Sequence, residues 1–547
     1  MSATAYEHTS KVEVVIERRN AHLLTRDEET LAKLGYKQEF KRAFTMFETF
    51  GLVFSIIGLF PSIASVLVYA IPNGGAVSMV WGWLVASLFL MTIALAMAEL
   101  ASAAPTSGGL YFWAHHYASP KWRNLFAWIV GYANTVGTIA SVASIDWGCA
   151  VQIMAAATIG SPHLSFSPTT SQTFAVYLAI ALSHVVVCCL GTAVLARLQN
   201  IYTFLNIALC LAITIVIPAV TPKEYHNTAS YALGNFTNLN GWPNDFAFFL
   251  SWMSPVWTIC SFDSSVHISE EATNAATAVP WSIVLATGVG GILGAAILIV
   301  LSFFMGTDME SIVNNPIGQP MATILFNSLG RKATLSLWAI VVIVQYMMGS
   351  SMLLASSRQT FAFSRDGALP FSRYLYRMNS FTGTPVNTVW FSGIGAALLG
   401  LLSFAGPAAI SAIFSISVMG LYIAYSVPIM CRFAFRGSAN RFEPGPFYLG
   451  RWGLPIAIVA VHFMAFINVI FLFPSTPHPG ANDMNYSIVV MGSVLIFSLT
   501  WYYFPVYGGV NWFRGPIPTI NPQYIGSEEG NSDTRQSDVA LEKKVDT

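Results

Sequence analysis

No Asp, Glu, Lys or Arg occurs between Thr49 and Ala98, and this charge-free stretch constrains the possible folds of the chain strongly. The sequence Pro-Asn-Gly-Gly at 72–75 is typical of a turn and divides the stretch into two apolar runs. Each run is long enough to cross a bilayer about 30 Å thick as a helix. Charged residues make up 10% of all 547 residues, against roughly a quarter in soluble domains. The sequence therefore predicts an all-α polytopic membrane protein.

Similar apolar runs along the rest of the chain bring the predicted number of transmembrane helices to twelve. We expect a membrane domain of twelve helices over 45–507, a cytosolic N-terminal tail over 1–44 and a cytosolic C-terminal tail over 508–547. The polar composition after Pro522 predicts disorder there. The predicted spans are 48–71, 77–103, 124–157, 172–194, 198–220, 244–268, 281–305, 334–361, 386–404, 408–431, 453–473 and 485–507.

The distribution of basic residues predicts the orientation of these spans. Residues 1–44 contain eight Lys and Arg, which places the N-terminus in the cytosol. Of the 26 Lys and Arg, only Lys223, Arg331 and Lys332 fall in the predicted outside loops, which leaves 23 on the cytosolic side. The two N-x-[ST] sequons, at Asn235 and Asn485, both fall in predicted outside loops and are possible glycosylation sites.

Two of the predicted spans are interrupted near mid-depth. The first contains Gly58 and Pro61, which weaken helical hydrogen bonding. The sixth contains the polar run 261–265, in which Asp263 lies about 26 Å along a helix counted from Phe246 at about 1.5 Å per residue. A carboxylate at that depth is costly unless it faces a cavity or a partner. This pattern indicates half of a transport site.

The two interrupted spans are five spans apart and enter the membrane from opposite sides. We therefore predict two inverted repeats, over about 45–220 and 244–431, with two additional helices over about 453–507. Broken helices expose N–H groups, which favour a carboxylate, and C=O groups, which favour a cation. A zwitterion such as an amino acid matches both.

Four sequence motifs carry a family resemblance. Together they resemble the amino acid–polyamine–organocation superfamily, and in particular its fungal amino acid/choline branch, which includes 4-aminobutyrate (GABA) permeases. That resemblance implies the five-plus-five inverted-repeat transporter fold with two extra helices. The motifs are SIIGLFPS in the first span, AELASAAPTSGGLYFW after the second, FDSSVHISEEATNAATAVPWSI at the sixth and SSRQTFAFSRDGALP after the eighth.

The resemblance also implies roles for individual residues. Backbone groups of the first break would bind the substrate carboxylate, and residues of the second break would bind the amine or gate access. Asn134, near the midplane of the third span, is a further candidate. Some proton-coupled relatives carry a lysine in the fifth span, whereas 198–220 contains none. The residues of the first break are Ser55, Ile56, Ile57 and Gly58, and those of the second break are Phe262, Asp263, Ser264 and Ser265.

Other polar residues in or near the spans have more ordinary interpretations. Glu270 and Glu271 are coupling or gate candidates; we expect them in a solvated cytosolic interface, with a gate contact to Arg358 or Arg365 as the alternative. We expect Glu99 near the cytosolic membrane–water interface and Asp146 near the outer one. His184 and His462 fall near mid-span, where hydrogen-bonded helix contacts are more common than proton relays. Gln345, Ser415 and Ser417 are polar residues at a plausible depth.

The function that these features favour is import of a small amino acid or amine, such as GABA, by secondary active transport. The alternatives are a choline or polyamine transporter of the same fold, or a nutrient sensor that binds its ligand without transporting it.

No catalytic or metal-binding motif is present, so we expect no enzyme activity and no cofactor. Transport would instead be driven by an ion gradient, with H⁺ as the expected ion. The formal net charge of zero argues against nucleic acid as a partner. The expected partners are the small-molecule substrate and lipid. We expect the protein to lie in the plasma membrane, with the vacuolar membrane or another endomembrane as the alternative. The sequence does not indicate an oligomeric state.

Overall fold

The computed structural model describes residues 26–435, 442–480 and 484–520, and the chain divides into two units. The smaller unit joins the terminal regions 1–41 and 516–547, of which 26–41 and 516–520 are described. It contains helix α1 (Arg26–Lys33), and its two chain segments pair through Thr519, whose N–H donates to the Gly35 carbonyl at 2.8 Å. The predicted disordered tail after Pro522 lies outside the described residues.

The larger unit, 42–515, is built from helices. Short helices at Ala229–Gly234, Met309–Val313, Ser372–Leu375 and Gly509–Trp512 lie in its loops. Its other helices are α2 (Met46–Ile57), α3 (Leu59–Ala70), α4 (Gly75–Ala103), α5 (Gly109–Tyr117), α6 (Arg123–Gly160), α7 (Thr170–Cys188), α8 (Thr192–Val220), α9 (Asn244–Leu250), α10 (Met253–Thr258), α11 (Ser264–His267), α12 (Ala275–Phe304), α13 (Pro320–Arg365), α14 (Val386–Gly400), α15 (Pro407–Ala434), α16 (Gly453–Ile470) and α17 (Ser487–Tyr503).

Ten helical spans in the described part of the chain are long and apolar enough to cross a membrane, which confirms an all-α polytopic membrane protein. The predicted sixth span is divided into α9, α10 and α11, and the predicted twelfth span is the shorter apolar helix α17. The count of twelve crossings and the inverted repeat therefore stay predictions. The predicted eighth span is longer than expected, because α13 begins at Pro320 and bends at Gly330, where φ is 70°.

The first span, α2 with α3, lies at the centre of the larger unit. Nearly all of its most apolar stretch is buried, whereas only a third of the corresponding stretch of α8 is buried. Helices α8, α10, α12 and α13 pack around it. Large apolar side chains on the outer helices face away from the protein, as helices in contact with lipid require; examples are Leu88, Phe204 and Ile292.

Candidate functional site

The first span breaks at Gly58, at mid-length. Gly58 adopts the left-handed conformation, with φ 44° and ψ 53°, between the end of α2 and the start of α3. Its N–H donates to the Phe54 carbonyl at 3.1 Å, and the Asn206 side-chain amide of α8 donates to the same oxygen at 3.0 Å. Ser62 donates from its hydroxyl to the Ile57 carbonyl at 2.7 Å. Side chains thus satisfy part of the backbone that the break exposes.

The second break separates α10 from α11. Helix α10 ends at Thr258, and Ser261 has a φ of 58°, a conformation that few residues other than glycine adopt. The chain then turns into α11, where the Ser264 hydroxyl donates to the Ser261 carbonyl at 2.5 Å. Ser261 itself donates to the Ser141 hydroxyl of α6 at 3.5 Å. The predicted polar interruption of the sixth span is therefore present, and it faces α6.

A small cavity lies between these two breaks. Its volume is about 10 Å³, room for about one water molecule. Hydroxyls, a thiol and apolar groups line it, and no charged side chain is among the described residues of its wall. Those residues are Ile56, Ser141, Ser144, Ile145, Trp257, Cys260, Ser261, Met348 and Ser417.

Asp263 belongs to a buried hydrogen-bond network beside this cavity. The Tyr425 hydroxyl donates to its Oδ1 at 2.6 Å, and His267 Nε2 lies 3.1 Å from its Oδ2. His267 Nδ1 lies 3.0 Å from the Ser107 carbonyl, which can only accept, so Nδ1 carries a proton. Asn134 contacts His267 Nε2 at 3.2 Å. Both carboxylate oxygens of Asp263 therefore have partners within the protein.

The structure places the predicted binding residues around the cavity rather than all on its wall. Ile56 lines it, and Asn134 and Asp263 belong to the network beside it. Phe262 packs against Tyr425 with ring centroids 5.4 Å apart, and Ser265 donates to the Phe262 carbonyl at 3.4 Å. The remaining predicted residues, Ser55, Ile57, Gly58 and Ser264, lie at the two breaks.

Sequence reasoning missed several residues that belong to this site. Ser141, Ser144 and Trp257 line the cavity, and the Trp257 indole donates to Ser144 at 3.2 Å. His267 lies four residues after Asp263, a spacing that places two side chains on one helix face and could have indicated the pair. Tyr425 lies 162 residues away, and no local pattern points to it.

A layer of buried ion pairs closes the end of the bundle at which α2 begins. Glu271 accepts from Arg358 Nε at 2.8 Å, and Glu270 accepts from both terminal nitrogens of Arg365 at 3.1 Å. All four side chains are buried. The expectation of a solvated interface for Glu270 and Glu271 was therefore wrong, because α13 packs over them and supplies a guanidinium to each.

Two further contacts reinforce this layer. The Ala43 and Phe44 N–H groups donate to the Glu271 carbonyl at 2.9 and 3.0 Å, which holds the segment before α2 against the loop after α11. Glu99, near the end of α4, is buried and pairs with Arg432 near the end of α15. Its position at the membrane interface stays a prediction.

The opposite end of the bundle is more open. A cavity of about 220 Å³ lies there among the ends of α3, α9 and α15 and the segment before α17. Tyr69, Asn73, Leu250, Pro407 and Asn485 contribute to its lining. The site thus has a wide cavity on one side and a layer of ion pairs on the other.

The amino-acid sequence was compared with protein families and with individual known proteins, and the matches are to permeases. Residues 44–494 match the amino acid permease family. The chain is 38% identical to an uncharacterized amino-acid permease of Schizosaccharomyces pombe, covering 91% of this chain and 89% of the relative. It is 36% identical to a GABA-specific permease of Saccharomyces cerevisiae, covering 90% and 86%, and 32% identical to amino-acid permease 2 of Neurospora crassa, covering 90% and 89%.

Proposed function

The chain belongs to the amino acid permease family, and we propose on that basis that it imports a small neutral amino acid of the GABA type by proton symport. Members of this family are amino acid transporters, not enzymes. The proposed substrate, coupling ion and direction go beyond family membership. The similarity to a GABA-specific permease supports the substrate class.

The observation that carries the proposal is the uncharged, hydroxyl-lined cavity between the two helix breaks. A zwitterion has no net charge and suits such a cavity, with its carboxylate at the N–H end of α3 and its amine near carbonyls and hydroxyls. A permanently charged amine such as choline would need a carboxylate, and the neighbouring Asp263 is already bound by Tyr425 and His267. Choline and polyamines are therefore less suitable substrates.

The contrast between the two ends of the bundle supports transport by alternating access. The 220 Å³ cavity would admit substrate, while the pairs Glu270–Arg365 and Glu271–Arg358 would keep the other end closed. Because the central cavity holds about one water molecule, α2–α3 and α10–α11 must move apart to bind an amino acid. We place the wide cavity outside and both termini in the cytosol, since the basic residues concentrate on the side of the termini.

An uptake assay in a transport-deficient fungal cell tests the proposal. Labelled GABA, a panel of amino acids and choline would each be offered with and without a protonophore, and a fluorescent fusion would report whether the protein reaches the plasma membrane, as we propose. We expect saturable uptake of GABA or another small neutral amino acid that the protonophore abolishes and acidic outer pH restores. Uptake of choline alone would contradict the substrate class, and protonophore-resistant accumulation would contradict proton symport. Substrate binding without flux in reconstituted vesicles would indicate a sensor.

A further inference from the structure

A second buried acid–base pair, separate from the Asp263 network, joins α6 to α7. Asp146 Oδ1 lies 3.0 Å from His184 Nδ1, and both side chains are fully buried. The Tyr346 ring of α13 packs on the imidazole, with centroids 4.3 Å apart. The sequence predicted Asp146 near the outer interface but did not predict its contact with His184.

Gly349 of α13 lies directly against this pair. A Cβ at Gly349 would come within 2.3 Å of Asp146 Oδ1 and 2.5 Å of His184 Cε1. The pair therefore occupies the space that any side chain at this position would need, and a small movement of α13 changes the room available to it. Among the described residues, neither side chain makes an aligned hydrogen bond, either with the other or with a third residue, so the two are held together as a close ion pair.

The surroundings of the pair supply no opposite charge. The described titratable groups that face it are neutral at ordinary pH, and the cation Arg358 lies nine residues beyond Gly349, about 14 Å along α13, where it pairs with Glu271. Helix α14, which packs on α6 and α7, carries no titratable residue. These neutral groups are Cys149 on α6, Tyr177 and Cys188 on α7, Tyr346 on α13 and Tyr202 on α8.

We propose that the Asp146–His184 pair is the proton-carrying site of this transporter, an inference that rests on the proposed proton symport. With one proton on each imidazole nitrogen, the pair is an imidazolium beside a carboxylate and has no net charge. Loss of one proton leaves a neutral imidazole and a carboxylate with net charge −1. A net charge buried at this depth is costly, so the unloaded pair favours a conformation that admits water to it. One proton is taken up outside and the same proton is released inside in each cycle.

The pair is connected to the substrate cavity by its chain neighbours. Ile145, next to Asp146, and Met348, next to Gly349, both line the cavity between the helix breaks. Met348 also packs on the first break, where its Sδ would lie 2.7 Å from a Cβ at Gly58 and accepts from the Ser62 hydroxyl at 3.3 Å. Movement of the first break on substrate binding therefore moves α13 at the pair.

The fifth span, α8, carries one cation near its start, Arg197, and a guanidinium keeps its proton at any ordinary pH. The side chain of α8 that reaches the end of α2 is the amide of Asn206, which does not titrate.

Reconstituted vesicles test the proposal with two measurements: counterflow exchange of labelled substrate, which needs no proton gradient, and accumulation driven by an imposed pH gradient. The variants are Asp146→Asn, His184→Gln and the double variant, in which an amide faces an amide and can still form a hydrogen bond. His462→Gln on α16 is the matched control, because His462 also lies at mid-helix but faces outward and contacts only the Ile458 carbonyl among described partners.

We expect the double variant to keep counterflow, to lose gradient-driven accumulation by about tenfold or more, and to lose its dependence on outside pH. The His462→Gln control should accumulate substrate like the unaltered protein. Full accumulation by the double variant would overturn the proposal. So would loss of counterflow together with accumulation in correctly folded protein, because that result assigns the pair a structural role. Absence of counterflow in the unaltered protein would instead contradict the proposed function itself.

Discussion

Both carboxylate oxygens of Asp263 are hydrogen-bonded within the protein, whereas a direct ligand of a substrate amine would need an oxygen available to bind it. Tyr425 holds one oxygen and His267 the other. A proton shared between His267 and Asp263 leaves this buried pair without net charge, so it can lie beside the cavity without a cation. We therefore expect Asp263 to position α11 and Phe262 rather than to contact substrate.

The Asp263→Asn variant separates these two roles. Because the amide keeps the size of the side chain but cannot pair with an imidazolium, we expect the maximal uptake rate to fall about tenfold while KM changes little. Initial rates over a range of substrate concentrations measure both. Tyr425→Phe, which removes one hydrogen bond and keeps the ring against Phe262, should show a smaller effect of the same kind. A large rise in KM at unchanged maximal rate would make Asp263 a direct ligand of the amine.

Gly58 is required by its backbone conformation and by its neighbour. A side chain at φ 44° is strained, and its Cβ would lie 2.7 Å from Met348 Sδ. We expect Gly58→Ala to abolish uptake of protein that still reaches the surface, since the left-handed conformation alone costs about 1–2 kcal/mol. Gly290→Ala is the matched control: its Cβ would meet Ile57 Cγ2 at an ordinary 3.6 Å. Equal uptake by the two variants would contradict a strict requirement at the break.

At the residue level, the sequence predicted the breaks better than the cavity wall. Gly58 and the polar run at 261–265 interrupt apolar helices, a local signal that can be read from the chain. Ser141 and Ser144 carry no such signal, because hydroxyls are common in membrane helices and only the packing of α6 against α10 turns them to the cavity. His267 and Tyr425 required the fold for the same reason.

At the level of helices, the ion pairs between the loop after α11 and the end of α13 close one end of the bundle, and we propose that they act as its gate. Counting residues along the sixth span placed Glu270 and Glu271 beyond the hydrocarbon region, where water is the default partner. The count assumed a continuous helix, whereas the span is divided at residues 251–252 and 259–263. The sequence could predict the charges but not that Arg358 and Arg365 would cover them.

Neutralising one gate pair tests this arrangement. Glu271→Gln leaves Arg358 buried without its carboxylate, which costs about 3–5 kcal/mol for a buried pair, so we expect a sharp loss of folded protein or of uptake. Adding Arg358→Gln should restore part of the loss, because neither charge then remains. Glu310→Gln, an exposed position in an outer loop, is the control and should have no effect. If the double variant is no better than the single one, the pair does not act as a unit.

At the scale of the whole molecule, the two sequons offer a test of orientation. The Asn485 side-chain amide donates to the Phe471 and Phe473 carbonyls at 2.8 and 2.9 Å, and Ser487 of its sequon is buried. The Asn235 side-chain amide donates to Thr237 of its own sequon at 3.1 Å and also contacts the hydroxyl of the nearby Tyr231, and Thr237 is only partly buried. We expect a glycan at Asn235 alone, so endoglycosidase should shift the unaltered protein and Asn485→Gln but not Asn235→Gln. A glycan lost on Asn485→Gln would contradict this arrangement.

The central claim, that an amino acid binds between the two helix breaks, is tested most directly at Cys260. This thiol lines the cavity, and a variant with the other five cysteines replaced by alanine would leave it as the single target for a thiol reagent. At ten times the half-saturating substrate concentration roughly a tenth of the molecules keep a free cavity, so we expect modification to slow about tenfold. A matched variant that keeps only the half-buried Cys189, at the end of α7, should show no protection. Unchanged modification of Cys260 by a protein that still transports the substrate would place the binding site elsewhere and contradict the account.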